Sequence, residues 1–232
     1  MKRVAMVIFD RFTDIDLFLM WDILARHKTL MQVSILGTSA QHVSYNGLTV
    51  NTHDHINKAN EADVVLFSSG KGTRTVIQDT AFLQAFKLDP SRQLIGSICS
   101  GALILAKLGL LTGKTATTHP NAKAELEAME AIAVERPLVC HGNIATAGGC
   151  LSANYLTGWV VEKLYGKAIR QQVLKEILPV GQTDIFEGLI DSTLTSSMVA
   201  DTEKKTELPF YSSLITQKPS MTSLNADDRQ LC

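Results

Sequence analysis

The feature that most constrains this chain is a set of short, almost continuously apolar segments, each followed by a helix-like stretch. Lys2–Phe9 (KRVAMVIF), Met31–Gly37 (MQVSILG), Asp63–Ser68 (DVVLFS) and Gln93–Ile98 (QLIGSI) are rich in β-branched residues and show no polar alternation. Strands of that kind need cover on both faces, which is the condition of a parallel sheet. Between them lie helical patterns at Asp14–Arg26, from the Gly70-Lys71-Gly72 turn to Phe86, and at Ser100–Leu110, the last ended by Gly109 and Gly113. Strands alternating with helices predict a three-layer α/β sandwich, a mainly parallel sheet with helices on both faces.

The remaining elements follow from turn chemistry. Asn46-Gly47 inside Val43–Thr52 and Gly142-Asn143 inside Leu138–Thr146 predict hairpins. Thr115–Thr118 reads as a short strand, and Pro120 opens a helix carrying Ala122–Met129. Leu151–Tyr165 and Ala168–Leu178 are helical. The 232 residues suffice for one full core, burying roughly 70% of the unfolded surface. Residues 1–190 are expected to form that domain. Residues 191–232, rich in Ser, Thr, Lys and Asp, read as a polar tail or wrap, dispensable for the core.

Charge and cysteine usage exclude several classes. A formal net charge of -1 with interspersed signs argues against nucleic-acid binding. No apolar run reaches a membrane span, and the N-terminus lacks a signal-peptide pattern, so a cytoplasmic chain with reduced thiols is expected. The four cysteines (Cys99, Cys140, Cys150, Cys232) form no CxxC pair, and neither a metal nor another cofactor is expected.

One cysteine stands out. In Leu94-Ile95-Gly96-Ser97-Ile98-Cys99-Ser100-Gly101 an apolar strand runs into Cys99, and two small residues then open a helix. This is the pattern of a nucleophile elbow, where small neighbours permit a strained turn and close helix packing. The helix start also favours the thiolate, the attacking form. The plainer alternative is a buried cysteine that only packs. Gly70 follows a strand in a glycine turn whose N–H can face an oxyanion, and the Ser100 N–H would be a second donor. Asp16 lies just past the first strand, at the sheet edge where α/β ligand sites form, although a helix-start aspartate is the commoner reading on pattern alone.

Taken together, Ile15-Asp16 with Trp21–Leu24, Val64–Thr73, Ile98–Gly101, Leu110–Lys114 with Thr117–Pro120, and Thr146–Gly149 resemble the ThiJ/PfpI family of class I glutamine amidotransferase-like proteins, over about residues 2–180. The resemblance implies a flavodoxin-like fold and a homodimer. It implies Cys99 as nucleophile, Asp16 as the acid hydrogen-bonded to it, and Gly70 and Ser100 as backbone oxyanion donors. The subgroup with this Asp, a hydroxyl residue after the cysteine and the LLTGK…TTH run is similar to isonitrile hydratases, lyases that convert an isonitrile and water to an N-substituted formamide. Other readings in the same family are a glyoxalase- or deglycase-like activity on α-oxoaldehydes and a non-enzymatic cysteine redox sensor. A small-molecule partner is expected. The chain departs from the family at Leu19-Met20, where Gly-Pro is usual, and at Ser68-Ser69-Gly70, where Pro-Gly-Gly is usual. Ser100 in place of His speaks against the protease-like members.

The other candidates read as structural. His119 precedes a Pro-initiated helix, His141 and Cys140 sit beside a hairpin turn, and His53 and His55 lack further metal ligands. Cys150, placed near the cavity by the family resemblance, is expected to pack. Cys232 is expected to be exposed at the end of the tail.

Overall fold

A computed structural model describes residues 1–198. In chain order it begins β1 (Lys2–Val7), α1 (Asp14–Ala25), β2 (Met31–Gly37), β3 (Gln41–Val43), β4 (Thr49–Asn51), β5 (Asp54–His55) and β6 (Val64–Phe67). Next come α2 (Thr73–Val76), α3 (Thr80–Gln84), β7 (Leu94–Ile98), α4 (Ala102–Lys107), β8 (Thr115–Ala116), α5 (Lys123–Glu127) and β9 (Ile132–Ala133). The described chain closes with β10 (Leu138–His141), β11 (Ile144–Ala147), α6 (Ala153–Tyr165), α7 (Lys167–Lys175) and α8 (Thr183–Ser197).

Seven strands form the central sheet in the order β10-β11-β7-β6-β1-β2-β5. Every pairing in it is parallel except the β10–β11 hairpin at one edge. Successive side chains of a strand point to opposite faces, so the apolar runs divide between two cores. Val4, Met6 and Ile8 of the first strand segment pack in one cluster with α1, α6, α7 and α8; Ala5, Val7 and Phe9 pack in the other with Phe82, Leu103 and Leu126. The architecture is the three-layer, flavodoxin-like α/β sandwich expected from the alternation.

Local departures have local causes. The helix expected up to Phe86 is two short pieces, α2 and α3, the second capped by the Asp79 carboxylate accepting from the Ala81 and Phe82 amides. The stretches opened by Cys99 and Pro120 begin with one turn of 3-10 helix before α4 and α5. β8 pairs in parallel with β9, a strand too short to carry a readable pattern. Both hairpins form as expected, with Gly47 and Gly142 at positive φ in their turns. No helix among the described residues is long and apolar enough to cross a membrane.

The expected boundary at residue 190 falls inside α8, so residues 191–198 pack with the domain and do not begin a dispensable tail. Thr193, Leu194 and Ser197 are buried, and the Ser197 hydroxyl donates to Cys140 Sγ at 3.4 Å. Burial pushes the Cys140 thiol up to about 11. Arg170 of α7 is fully buried between Glu162 of α6, at 2.9 Å, and Asp191 of α8, which also pairs with Lys167 at 2.8 Å. Apolar residues at 185, 186, 189, 190 and 194 already carry helical spacing, but Thr193 and Ser197 complete the buried face and disguise it. Residues 199–232, and Cys232 with them, lie outside the described residues.

A chain ended after Ile190 should therefore be less stable than one ended after Met198. Losing the Leu194 side chain and the Asp191 partner of a buried arginine together costs on the order of 3 kcal/mol. At this chain length that lowers Tm by roughly 6–12 °C. Calorimetry on the two truncations checks it, and equal Tm values would restore the tail reading for 191–198.

Candidate active site

The sequence leads Cys99 out of the sheet at a sharp bend. Its φ is 53°, the left-handed region rare for a residue with a side chain, so the elbow is strained as the pattern implied. Ile98 is extended before it and the 3-10 turn Cys99–Gly101 follows at once. Small residues after the cysteine are needed because the turn lies against the neighbouring strand end: a Cβ at Gly101 would stand 2.7 Å from Ser68 O and 3.0 Å from Phe67 O. On the other side the Thr118 hydroxyl donates to Cys99 O at 2.9 Å, which gives the Thr117-Thr118 run a role in holding the elbow.

Asp16 reaches the same place from the first turn of α1. The loop before α1 is tied to the β6 exit by a bridge between Phe12 and Gly70 and by Thr13 N–H donating to Ser69 O at 2.7 Å. Gly70 has φ 147°, and a Cβ there would stand 2.3 Å from Arg11 O, so this approach admits only glycine. Asp16 is completely buried, and the Ser69 hydroxyl donates to its Oδ2. Its Oδ1 has no hydrogen-bond partner among the described residues. Burial raises its pKa above the ordinary value, opposed by the Ser69 hydroxyl, by the Cys150 and Cys99 thiols and by the nearby His119. The carboxyl is thus placed to keep or exchange a proton.

Cys150 completes the cluster. A carboxylate oxygen of Asp16, Cys99 Sγ and Cys150 Sγ all lie within 4.8 Å of one another. Two sulfurs and a carboxylate oxygen are also donors of the kind zinc takes, brought together from three distant segments of the chain.

The oxyanion candidates are adjacent but not both directed into space. Gly70 N–H points at the Ser100 hydroxyl, at a long 3.4 Å, and that hydroxyl lies 3.2 Å from Thr73 Oγ1. The Ser100 N–H directly follows Cys99 at the elbow. Cys99 itself is 0% exposed. Two surface grooves, one lined by Arg3, Gln32, Asp54 and Glu61 and one by Gly37, Thr52 and His55, lie along the β2–β5 edge and contain none of the cluster.

With this geometry in place, comparison with known proteins is informative. The DJ-1/PfpI family model matches residues 2–163. The chain belongs to the DJ-1/PfpI family. It is 24% identical over 204 residues to the isonitrile hydratase of Pseudomonas putida, covering 88% of this chain and 89% of that one. It is 32% identical over 114 residues to the Parkinson disease protein 7 homolog of Danio rerio, 48% of this chain and 60% of that one. Among solved structures, a ThiJ/PfpI family protein from Pseudomonas syringae superimposes with a TM-score of 0.68 at 21% identity, over 84% of this chain and 88% of that one. Drosophila melanogaster DJ-1beta gives 0.68 at 22% identity, over 76% and 97%.

Two members of this DJ-1/PfpI site were missed by sequence reasoning. At Ser69 the departure from Pro-Gly-Gly is the available signal: the hydroxyl it introduces donates to Asp16. Nothing local distinguishes Cys150 from a packing cysteine. His53 and His141 sit elsewhere in structural roles, whereas His119 lies near enough to Asp16 to act on its charge. His53 accepts from Ile35 N–H at 3.0 Å and stacks on Trp21, and His141 Nε2 lies 2.9 Å from Thr115 Oγ1. His119 caps the Pro120 turn by accepting from Asn121 N–H at 3.2 Å, and burial lowers its pKa.

Proposed function

We propose that this protein is a cysteine-dependent lyase that hydrates isonitriles to N-substituted formamides. The observation that carries the proposal is the fully buried Asp16, its proton affinity raised by burial, in one cluster with the elbow thiol of Cys99. The likeness to an isonitrile hydratase along most of both chains supports it.

In this reading the Cys99 thiolate attacks the terminal isonitrile carbon while Asp16 donates a proton to that carbon, forming a thioimidate. Asp16, now ionised, takes a proton from water, which adds to the same carbon. Nitrogen then takes the proton from Asp16, the carboxylate accepts the hydroxyl proton as the C–S bond breaks, and formamide and the free thiolate leave. One carboxyl serves as acid and then as base, which requires a proton affinity shifted toward neutrality. The Ser100 N–H is the proposed donor to oxygen in the tetrahedral intermediate, joined by the Gly70 N–H once that group leaves the Ser100 hydroxyl. A linear, slender isonitrile also suits a thiol with no exposed surface, because only one terminal atom must reach it.

Turnover of small isonitriles and of methylglyoxal by wild type and Cys99→Ala, measured side by side, tests the assignment. Formamide formation by wild type alone is expected. Activity confined to methylglyoxal would favour the α-oxoaldehyde reading, and formamide formation by Cys99→Ala would remove the nucleophile.

A further inference from the structure

The parallel register of β7 and β11 has a chemical consequence. Ile98 pairs with Ala147, so the two strands end side by side. Cys99 follows one end directly, and Cys150 follows the other after the Gly148-Gly149 turn. The two sulfurs are therefore brought within 4.8 Å of each other beside the Asp16 carboxylate. We propose that Cys99 and Cys150 form a reversible intramolecular disulfide under hydroperoxide, with Cys150 as the resolving thiol.

The geometry allows the bond. A disulfide is about 2.05 Å long, so the sulfurs must close by less than about 3 Å. The glycine turn supplies the movement at one residue. Gly149 has φ 90° and an added Cβ there would touch nothing within 4 Å. Gly148 is pinned, its N–H donating to Pro137 O at 3.0 Å and its carbonyl accepting from Ser152 Oγ at 2.8 Å. Cys150 is half-buried, against complete burial for Cys99. Cys140 is no competitor: it is buried on β10 with its thiol held protonated.

The steps balance. The Cys99 thiolate attacks the terminal oxygen of the hydroperoxide, the O–O bond breaks, and the departing alkoxide takes a proton from Asp16 to leave as alcohol. Cys99 is then a sulfenic acid. Cys150 passes its proton to the Asp16 carboxylate and its sulfur attacks Cys99 Sγ. The S–O bond breaks and the hydroxide leaves as water with the proton from Asp16. Two electrons from the sulfur pair have reduced the peroxide, and an external dithiol reverses the change. The disulfide masks the nucleophile and keeps Cys99 from the irreversible sulfinic stage. It needs the two sulfurs and a proton from Asp16 but no isonitrile, and stands or falls separately from the isonitrile reading.

The test uses the full chain treated with tert-butyl hydroperoxide after chelator, then blocked with N-ethylmaleimide and mapped by non-reducing peptide mass spectrometry. Wild type is expected to give a Cys99–Cys150 linked peptide, with the loss of two hydrogens, erased by dithiothreitol. Cys150→Ser, with Cys150→Ala as the second variant should the first fail to fold, is expected to give Cys99 carrying two oxygens, unaffected by dithiothreitol. Cys99 sulfinate as the main wild-type product, or a link from Cys99 to Cys140 or Cys232 instead, overturns the proposal.

Discussion

Asp16→Asn should leave a folded protein whose isonitrile turnover falls by about 10²–10⁴-fold. Loss of one general acid/base role costs that much, and here one group serves both halves of the reaction. The fold survives because Asn keeps the size and an oxygen able to accept from the Ser69 hydroxyl. The variant also separates a catalytic carboxyl from a helix-start one by its pH behaviour. Burial raises the Asp16 pKa above its ordinary 3.8, so the folded protein holds this proton to higher pH than the unfolded chain does. The stability contributed by the neutral carboxyl is complete below the unfolded value and is lost as pH rises through the folded one. Wild-type Tm should thus decline relative to Asp16→Asn across that window, and the variant should be at least as stable at neutral pH. Kinetics with formamide detection, together with Tm against pH for both proteins, checks this. Unchanged turnover would take Asp16 out of the chemistry, and parallel Tm curves would contradict the burial argument.

Gly70→Ala should damage both stability and activity. The added Cβ would stand 2.3 Å from Arg11 O and 2.7 Å from Phe12 Cα, both backbone atoms that cannot rotate away, at a φ of 147° that alanine rarely adopts. Backbone strain of about 1–3 kcal/mol and overpacking of a similar size add to roughly 2–6 kcal/mol, or a Tm lowered by about 5–20 °C. The relief available is a shift of the loop before α1, which carries Asp16 away from Cys99. Activity should therefore fall even at temperatures where the variant is folded. Gly149→Ala is the control: its φ is 90°, but its Cβ meets nothing within 4 Å, so strain acts there without the clash. Calorimetry and turnover at low temperature on both variants decide it. An equal cost at the two positions would mean that close approach at Gly70 contributes nothing.

What sequence alone determined here was local, or repeated along the chain. The unbroken apolar strands meant a sheet covered on both faces, because no other arrangement removes both sides of such a strand from water. The strand–Cys99–Ser100–Gly101 pattern predicted the elbow, since the small residues answer to the backbone directly around them. Tertiary structure decided the rest of the site. Ser69 meets Asp16 across 53 positions of sequence, and Cys150 meets Cys99 through the pairing of two strand ends. Neither contact leaves a periodic trace, because each rests on a single side chain delivered by the packing of distant elements. The same reason hid the end of the domain. Asp191 reads as a solvated acid until α7 presents the buried Arg170 to it, and Ser197 reads as a polar tail residue until β10 places Cys140 against it.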